Sequence, residues 1–236
     1  MSDSFLQRID LPGEGHVVAD RLPGRAPAYV YLHGLASVRH GEKSEALLRR
    51  ARARGREFLR FDFPGHGESS GTMGHVTISE LVRATLRVLE QLPHRALLVG
   101  SSLGGLVASL IAARHPGAVH GIVLIAPAFG FLPRMAAHPR DADYVVVTSQ
   151  WTEVRLHRRV LDDAATLGEE TLAERIHVPT LVVHGEHDAT VPVRHSEEFH
   201  ARLAARRKEL WVVPGGDHRL NEQIEAILDR VEEFFP

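Results

Sequence analysis

The sequence predicts an α/β protein with an open, mostly parallel central sheet of about eight strands and helices on both faces. Short runs of aliphatic and β-branched residues alternate along the chain with longer segments of helical period, which is typical of this fold class. Several of the short runs are apolar throughout rather than alternating with polar residues. Strands that are buried on both faces of a parallel sheet have this composition.

Eight segments are predicted as strands. The first two flank a turn at Pro12, Gly13, Glu14 and Gly15, which predicts an antiparallel hairpin at the edge of the sheet. Helical segments separate most of the later strands, as parallel pairing requires. The predicted strands span residues 5–9, 16–20, 28–32, 57–61, 96–99, 121–125, 180–183 and 209–213.

Five segments are predicted as helices. Thr77 followed three residues later by Glu80 predicts a capping box at the start of the second helix. The run His115, Pro116 and Gly117 ends the third helix. The predicted helices span residues 43–54, 78–92, 103–114, 193–206 and 220–235.

Composition limits the functions that the chain can serve. A length of 236 residues and a hydrophobic fraction of 44% fit one domain with a substantial core. The net charge of -2 offers no basic surface for nucleic acid. The absence of cysteine excludes disulfides, thiolate catalysis and cysteine metal sites.

No segment of the sequence predicts secretion or a membrane span. Residues 1–12 lack the basic and apolar regions of a signal peptide. The longest apolar run, residues 121–132, is too short to cross a bilayer. We therefore expect a cytoplasmic protein, whose oligomeric state the sequence leaves open.

Residues 129–175 depart from the alternation of strands and helices. The segment is far longer than an ordinary loop, and long excursions from compact domains are usually lids or binding elements. We interpret it as a small lid inserted into a single domain of residues 1–236; a peripheral helix with its own minor core is the alternative. Its bulky apolar residues are the predicted substrate contacts: Phe129, Phe131, Leu132, Met135 and Trp151.

The strongest chemical signal is a serine between two glycines at the end of a predicted strand. Ser102 has glycine two residues before and two residues after it, and the helix at 103–114 follows directly. A nucleophilic serine on a sharp strand-to-helix turn needs this G-x-S-x-G spacing, because the glycines let neighbouring backbone pass closely. Ser101 would need glycines in place of Val99 and Leu103. We therefore predict Ser102 as the nucleophile.

Two backbone N–H groups are predicted to form an oxyanion hole beside this serine. One belongs to Leu103, the residue after the nucleophile, and lies at the positive end of the following helix. The other belongs to Leu35, in the loop after the strand at 28–32. The neighbouring His33 is predicted to shape this loop rather than to act as the base.

The general base and its orienting acid are predicted from chain order. Where a serine occupies such a turn, the acid and then the histidine follow it in sequence. Asp188 lies in the loop after the strand at 180–183, with Glu186 as its rival, and His218 lies in the loop after the strand at 209–213. Asp217 and Arg219 are predicted to shape the loop around His218.

The loop around Asp188 also admits a metal-binding interpretation. Histidine and carboxylate side chains bind zinc, and four such residues lie close together here: His184, Glu186, His187 and Asp188. The H-E-x-x-H helix of zinc hydrolases is absent from the sequence. We therefore predict neither a metal nor another cofactor.

The chain as a whole resembles the α/β-hydrolase superfamily. Residues 61–71 resemble its D-x-x-G-x-G-x-S loop, in which Asp62 and Ser69 would bond to backbone. The motifs around Ser102 and His218 are similar to those of a compact-lid subgroup of abhydrolase-domain esterases and acyl-protein thioesterases, and of bacterial carboxylesterases. The resemblance implies the α/β-hydrolase fold and a serine at the nucleophile position of a hydrolase.

Together these features predict hydrolysis of carboxylic esters or thioesters through an acyl-enzyme on Ser102, with His218 as base and Asp188 as orienting acid. The apolar residues of 129–175 predict small to medium hydrophobic acyl groups, and we expect no charged group on the substrate. A carbon–carbon bond hydrolase or a perhydrolase using the same three residues is the alternative. A further alternative is a non-catalytic ligand-binding protein, which the presence of all three residues disfavours.

Overall fold

The computed structural model describes residues 5–137, 143–148 and 153–236. Eight of its strands form one sheet, and two further strands pair as a separate hairpin. The strands are β1 (Phe5–Leu11), β2 (Gly15–Leu22), β3 (Arg25–Leu32), β4 (Arg56–Phe61), β5 (Ala96–Ser101), β6 (Val119–Ile125), β7 (Tyr144–Thr148), β8 (Glu153–His157), β9 (Thr180–Gly185) and β10 (Lys208–Val213). The helices are α1 (Glu42–Ala53), α2 (Ile78–Leu89), α3 (Leu103–Arg114), α4 (Phe131–Ala136), α5 (Arg158–Ala164), α6 (Arg194–Arg202) and α7 (Ile224–Phe234).

The large sheet has the strand order β1-β2-β4-β3-β5-β6-β9-β10. The pairs β1–β2 and β2–β4 are antiparallel, and every other neighbouring pair is parallel. The predicted fold class and the edge hairpin are therefore confirmed. Because parallel strands end at the same edge of a sheet, the loops after β3, β5, β9 and β10 meet there.

The core consists of two hydrophobic clusters, one on each face of the sheet. Strand β5 contributes to both, with Leu98 in the cluster that contains α2 and α3, and Leu97 and Val99 in the cluster that contains α1 and α7. Both faces of the strand are covered, and its residues 96–99 are accordingly all apolar. Helix α3 is itself buried at every residue from Leu103 to Ala112.

Helix α2 ends at Leu89 rather than at 92, and two further helices differ from the prediction by four residues at one end. Helix α7 starts at Ile224 rather than at 220, because the carboxylate of Asp217 accepts the N–H groups of Arg219 and Leu220 and turns the chain there. Leu220 also takes a left-handed φ of 50°. Helix α6 ends at Arg202 rather than at 206, since Leu203 is extended.

The segment at 129–175 holds α4, the β7–β8 hairpin and α5, of which the sequence predicted none in detail. Val154, Leu156, Val160 and Leu161 of this segment are buried in the same cluster as α2 and α3. These four side chains therefore pack in the core of the domain.

No helix in the described ranges is long and apolar enough to cross a bilayer.

Candidate active site

Ser102 occupies a strained turn between β5 and α3. Its φ of 53° and ψ of -115° are unusual for a residue with a side chain. Backbone hydrogen bonds hold it there: its N–H donates to Ile125 O at 2.9 Å, and its carbonyl accepts from Ala128 N at 3.0 Å. The turn is thereby tied to the end of β6, and the Ser102 side chain lines a cavity.

The glycine after Ser102 allows the turn to approach the neighbouring strand. A Cβ atom on Gly104 would overlap the carbonyl group of Leu32 at the end of β3. Real Cβ atoms do not come so close to a carbonyl oxygen, so α3 can start beside β3 only with glycine at this position. The spacing of the motif thus has a direct packing cause.

A chain of hydrogen bonds links Ser102, His218 and Asp188. The Ser102 hydroxyl donates to Nε2 of His218 at 3.1 Å, and Nδ1 of His218 donates to Oδ2 of Asp188 at 2.7 Å. The carboxylate fixes the imidazole tautomer, because Nδ1 must carry the proton for this bond. Nε2 is then free to accept the serine proton.

The carboxylate of Asp188 is buried and fully hydrogen-bonded. Oδ1 accepts the N–H groups of Thr190 and Val191, each at 2.8 Å, and Oδ2 lies 3.0 Å from Nε2 of His184. Burial raises the pKa of Asp188, but the hydrogen bonds from His184 and His218 outweigh it and hold that pKa well below its usual range. Asp188 is therefore ionised at neutral pH.

The rival acid and the metal ligands considered from the sequence lie elsewhere. Glu186 is exposed and accepts the N–H of Gly215 at 2.8 Å. His184 is buried, and Ser196 and Val191 bond its two ring nitrogens at 2.7 Å and 2.9 Å, whereas the His187 side chain is 73% exposed. Within the described ranges, no group of three or more histidines and carboxylates is placed to hold a metal ion.

The loop after β3 passes beside Ser102. A Cβ atom on Gly34 would lie 3.4 Å from Cβ of Ser102, and Leu35 and Leu103 both line the cavity. Neither of these leucine N–H groups donates to a backbone carbonyl among the described loops and turns. Leu35 and Leu103 therefore border the space beside the serine.

The side chain of His33 holds the backbone of this loop in place through hydrogen bonds. Its Nδ1 donates to Gly34 O at 2.8 Å, and its Nε2 accepts the N–H of Phe63 at 2.9 Å. Burial lowers the pKa of His33 to about 3, so the ring is neutral. Its nitrogens are both occupied by backbone, which leaves neither for proton transfer at the serine.

The loop at 61–71 also supports the loop that follows β3. Asp62 accepts the backbone N–H of Arg39 at 2.7 Å and also pairs with its guanidinium group, while Ser69 donates to the carbonyl of Asp62 at 2.6 Å. His66 accepts the N–H of Ala36 at 3.3 Å. The loop therefore anchors residues 36–39, and Arg39 is a structural residue that the sequence motifs did not reveal.

The cavity above Ser102 has a volume of about 570 Å³, within the usual range for small-molecule sites. Of the apolar residues predicted to contact the substrate, Phe131 lines the cavity. Val147 from β7, which was not predicted, also lines it. The prediction for Phe129 is wrong: its ring is stacked on Phe199 with the centroids 4.1 Å apart and it does not line the cavity. The side chains of Leu132 and Met135, and the whole of Trp151, lie outside what the structure describes.

The cavity also has charged groups in its lining, contrary to the expectation of an uncharged substrate. Besides His218 and Tyr31, five ionisable side chains contribute: His40, Glu42, Lys43, Arg134 and Arg219. Lys43 could not be predicted as a site residue, because it precedes the predicted nucleophile by about sixty residues and belongs to no motif. Only the position of α1 beside the loop at 218–221 brings it to the site.

Comparisons with known proteins agree with this architecture. The family model described as alpha/beta hydrolase fold matches residues 27–152, just over half of the chain. A second model, described as serine aminopeptidase S33, matches residues 146–224.

Similar proteins cover nearly the whole chain. Mouse palmitoyl-protein thioesterase ABHD10, a mitochondrial protein, is 26% identical over 256 residues, which is 99% of this chain and 84% of that protein. The solved structure of mouse ABHD10 superposes with a TM-score of 0.87 at 22% identity, covering 98% of each chain. Est1E from Butyrivibrio proteoclasticus with bound ferulic acid gives a TM-score of 0.85 at 23% identity, covering 97% of each chain.

Proposed function

The chain belongs to the alpha/beta hydrolase fold family, and from this premise we propose that it is a serine hydrolase that cleaves carboxylic esters or thioesters through Ser102. The observation that carries the proposal is the chain of hydrogen bonds from Ser102 through His218 to Asp188, at 3.1 Å and 2.7 Å. The thioesterase named among its relatives supports the same bond class.

Acylation begins with attack of Ser102 Oγ on the carbonyl carbon of the substrate. Nε2 of His218 takes the serine proton as the C–O bond forms. Asp188 stabilises the resulting imidazolium and keeps Nδ1–H oriented towards itself. His218 then protonates the leaving alkoxide or thiolate as its bond to the carbonyl carbon breaks, and the acyl group remains on Ser102.

The N–H groups of Leu35 and Leu103 stabilise the oxyanion of each tetrahedral intermediate. Leu103 opens α3, whose N-terminal dipole adds positive potential at the same point. Water attacks the acyl-enzyme in the second half of the reaction, with His218 again as base, and releases the acid. These steps need no cofactor.

The segment at 129–175 serves as a lid that supplies the apolar side of the cavity. Phe131 and Val147 from this segment and Ala128 beside it line the space above Ser102. A volume of about 570 Å³ accommodates a small to medium acyl group with its leaving group. The substrate acyl chain lies against these side chains.

A fluorophosphonate probe, which labels activated serines, tests the nucleophile. We expect the unmodified protein to be labelled and Ser102→Ala to lose both labelling and ester hydrolysis, because no other serine contacts His218 in the described structure. Ser101→Ala is the matched control and should keep its labelling. Labelling that persists in Ser102→Ala and disappears in Ser101→Ala would overturn the assignment.

A chain-length series of nitrophenyl esters and the corresponding thioesters tests the bond class. Rates should be highest for acyl groups that fit the apolar side of the cavity and should depend on Ser102. Negligible rates across both series, with active protein, would contradict hydrolysis of esters and thioesters.

A further inference from the structure

Lys43 lies in the first turn of α1 and lines the same cavity as Ser102 and His218. It is half-buried there, although lysine is normally a surface residue. No part of the proposed hydrolysis mechanism uses it, so its place in the cavity needs a separate explanation.

The ammonium group of Lys43 is bonded to a neutral partner. Its Nζ donates to Oδ1 of Asn221 at 3.2 Å, whereas the carboxylates of Glu42 and Asp217 act on it electrostatically without a hydrogen bond. The amide of Asn221 also donates to Glu42, so the asparagine lies between the two charges. An ammonium group has three N–H donors, which leaves two of them for a ligand.

The electrostatic surroundings of Lys43 favour an anion. The charged groups that face it are Arg219, Glu42 and Asp217, and burial with the Arg219 charge lowers the pKa of Lys43 to about 8. His40 and Arg134 line the same cavity, where Glu42 is the one carboxylate among the described lining residues. This positive lining is opposite in sign to the net charge of -2 of the chain.

We propose that Lys43, together with Asn221, forms a subsite for a carboxylate group on the substrate. One partly buried ammonium and one neutral amide balance a single negative charge, which favours a carboxylate over a phosphate dianion. The inference rests on the proposed function, since the ester or thioester cleaved at Ser102 would carry this carboxylate on its acyl or its leaving group.

Paired substrates that differ only in this charge test the subsite. For the leaving group, para-carboxyphenyl butyrate is compared with para-carbamoylphenyl butyrate; for the acyl group, nitrophenyl hydrogen suberate is compared with nitrophenyl methyl suberate. The ratio of kcat/KM values for the charged and neutral members measures the preference. In Lys43→Gln we expect this ratio to fall about tenfold in one of the two arms, as for loss of a charge-assisted hydrogen bond.

Arg52→Gln is the matched control. It removes one positive charge from an exposed position of the same helix, so both members of each pair should react as with the unmodified protein. A ratio that falls equally in Arg52→Gln would indicate a general charge effect and would overturn the subsite.

The pH dependence of the ratio provides an independent readout. With a pKa of about 8, Lys43 is cationic below that pH and loses its charge above it, so the preference for the carboxylate should decline between pH 7 and pH 9. Lys43→Arg, whose cation persists at pH 9, should keep the preference there. Any effect of pH on the hydrolysis step itself is common to both substrates and cancels in the ratio.

These experiments distinguish a failure of the carboxylate subsite from a failure of the proposed hydrolase function. Active sites are counted by fluorophosphonate titration, so a poorly folded variant is recognised. If the neutral esters are hydrolysed in a Ser102-dependent way but the ratio is unchanged in Lys43→Gln, the subsite is wrong and the hydrolase proposal stands. If neutral and charged esters both fail to react, the proposed function itself is wrong.

Discussion

At the residue scale, the proposed chemistry depends on the carboxylate of Asp188, whose two oxygens are both fully occupied as hydrogen-bond acceptors. Asp188 receives two backbone N–H groups on one oxygen and two imidazoles on the other. It can neither rotate nor be protonated at neutral pH. His218 is therefore held in one tautomer with Nε2 towards Ser102, which is the arrangement that proton transfer requires.

Replacement of this carboxylate should impair the chemical step. In Asp188→Asn we expect kcat for a nitrophenyl ester to fall about 10³- to 10⁴-fold, because the amide no longer holds the reactive tautomer of His218. The measurement is steady-state hydrolysis at pH 7. Glu186→Gln, which changes an exposed carboxylate in the same loop, should stay within about twofold of the unmodified protein, as surface changes usually do. Equal losses in both variants would contradict the choice of Asp188.

At the scale of elements, the turn between β5 and α3 is shaped by close packing against β3. Ser102 can occupy a left-handed backbone region because its N–H and carbonyl are bonded to Ile125 and Ala128. The start of α3 fits beside Leu32 because Gly104 has no side chain. Strand, turn and helix thus form one rigid support for the serine hydroxyl.

A methyl group on Gly104 should disrupt this support. Gly104→Ala is expected to lower the free energy of unfolding by about 3 kcal/mol or more, since the added Cβ overlaps backbone rather than a flexible side chain. Gly117→Ala is the matched control, because nothing lies within 4 Å of a Cβ there and its φ is not left-handed; it should be neutral or slightly stabilising. Urea unfolding of both variants measures the difference, and equal stabilities would contradict the packing argument.

At the scale of the whole molecule, the parallel sheet gathers residues that are distant in sequence. Ser102, Asp188 and His218 each follow a different strand, and β3 brings the Leu35 loop to the same edge. Helix α1 lines the cavity with Glu42 and Lys43, and the segment at 129–175 lines it with Phe131, Arg134 and Val147. The cavity is therefore a product of topology more than of any single motif.

Folding of the whole chain should also depend on pH through His33, which is completely buried and neutral. Its pKa is lowered from 6.5 to about 3 in the folded state, so between these pH values the unfolded chain binds a proton that the folded chain does not. Stability must then decrease as pH falls from 6.5 towards 3. The expected contribution is on the order of a few kcal/mol at the acid end.

Urea unfolding between pH 7 and pH 4 measures this effect. In His33→Gln the unfolding free energy should fall less steeply with decreasing pH, because the unfolded chain then takes up about one proton fewer relative to the folded chain. The variant starts from a lower stability at pH 7. His115→Gln, at an exposed position, should leave the slope unchanged. Identical slopes in all three proteins would show that His33 is not the linked group.

Much of the secondary structure could be predicted from local sequence patterns. Thr77 and Glu80 predicted the capping box that the structure has at the start of α2, and apolar runs predicted the strands, because helix caps and buried strands depend on residues close together in the chain. The β7–β8 hairpin and the late start of α7 were not predicted. They depend on packing and on side-chain bonds such as those of Asp217.

The sequence by itself determined the order along the chain of the eight strands of the large sheet and of five helices. It also selected Ser102, Asp188 and His218, whose side chains the structure brings into hydrogen-bonding distance. Glycine spacing and chain order are properties of the sequence, so they can be read without coordinates. The tertiary structure alone decided that Phe129 turns to Phe199 and that Lys43 reaches the cavity. Such facts depend on contacts between distant segments, which no local pattern encodes.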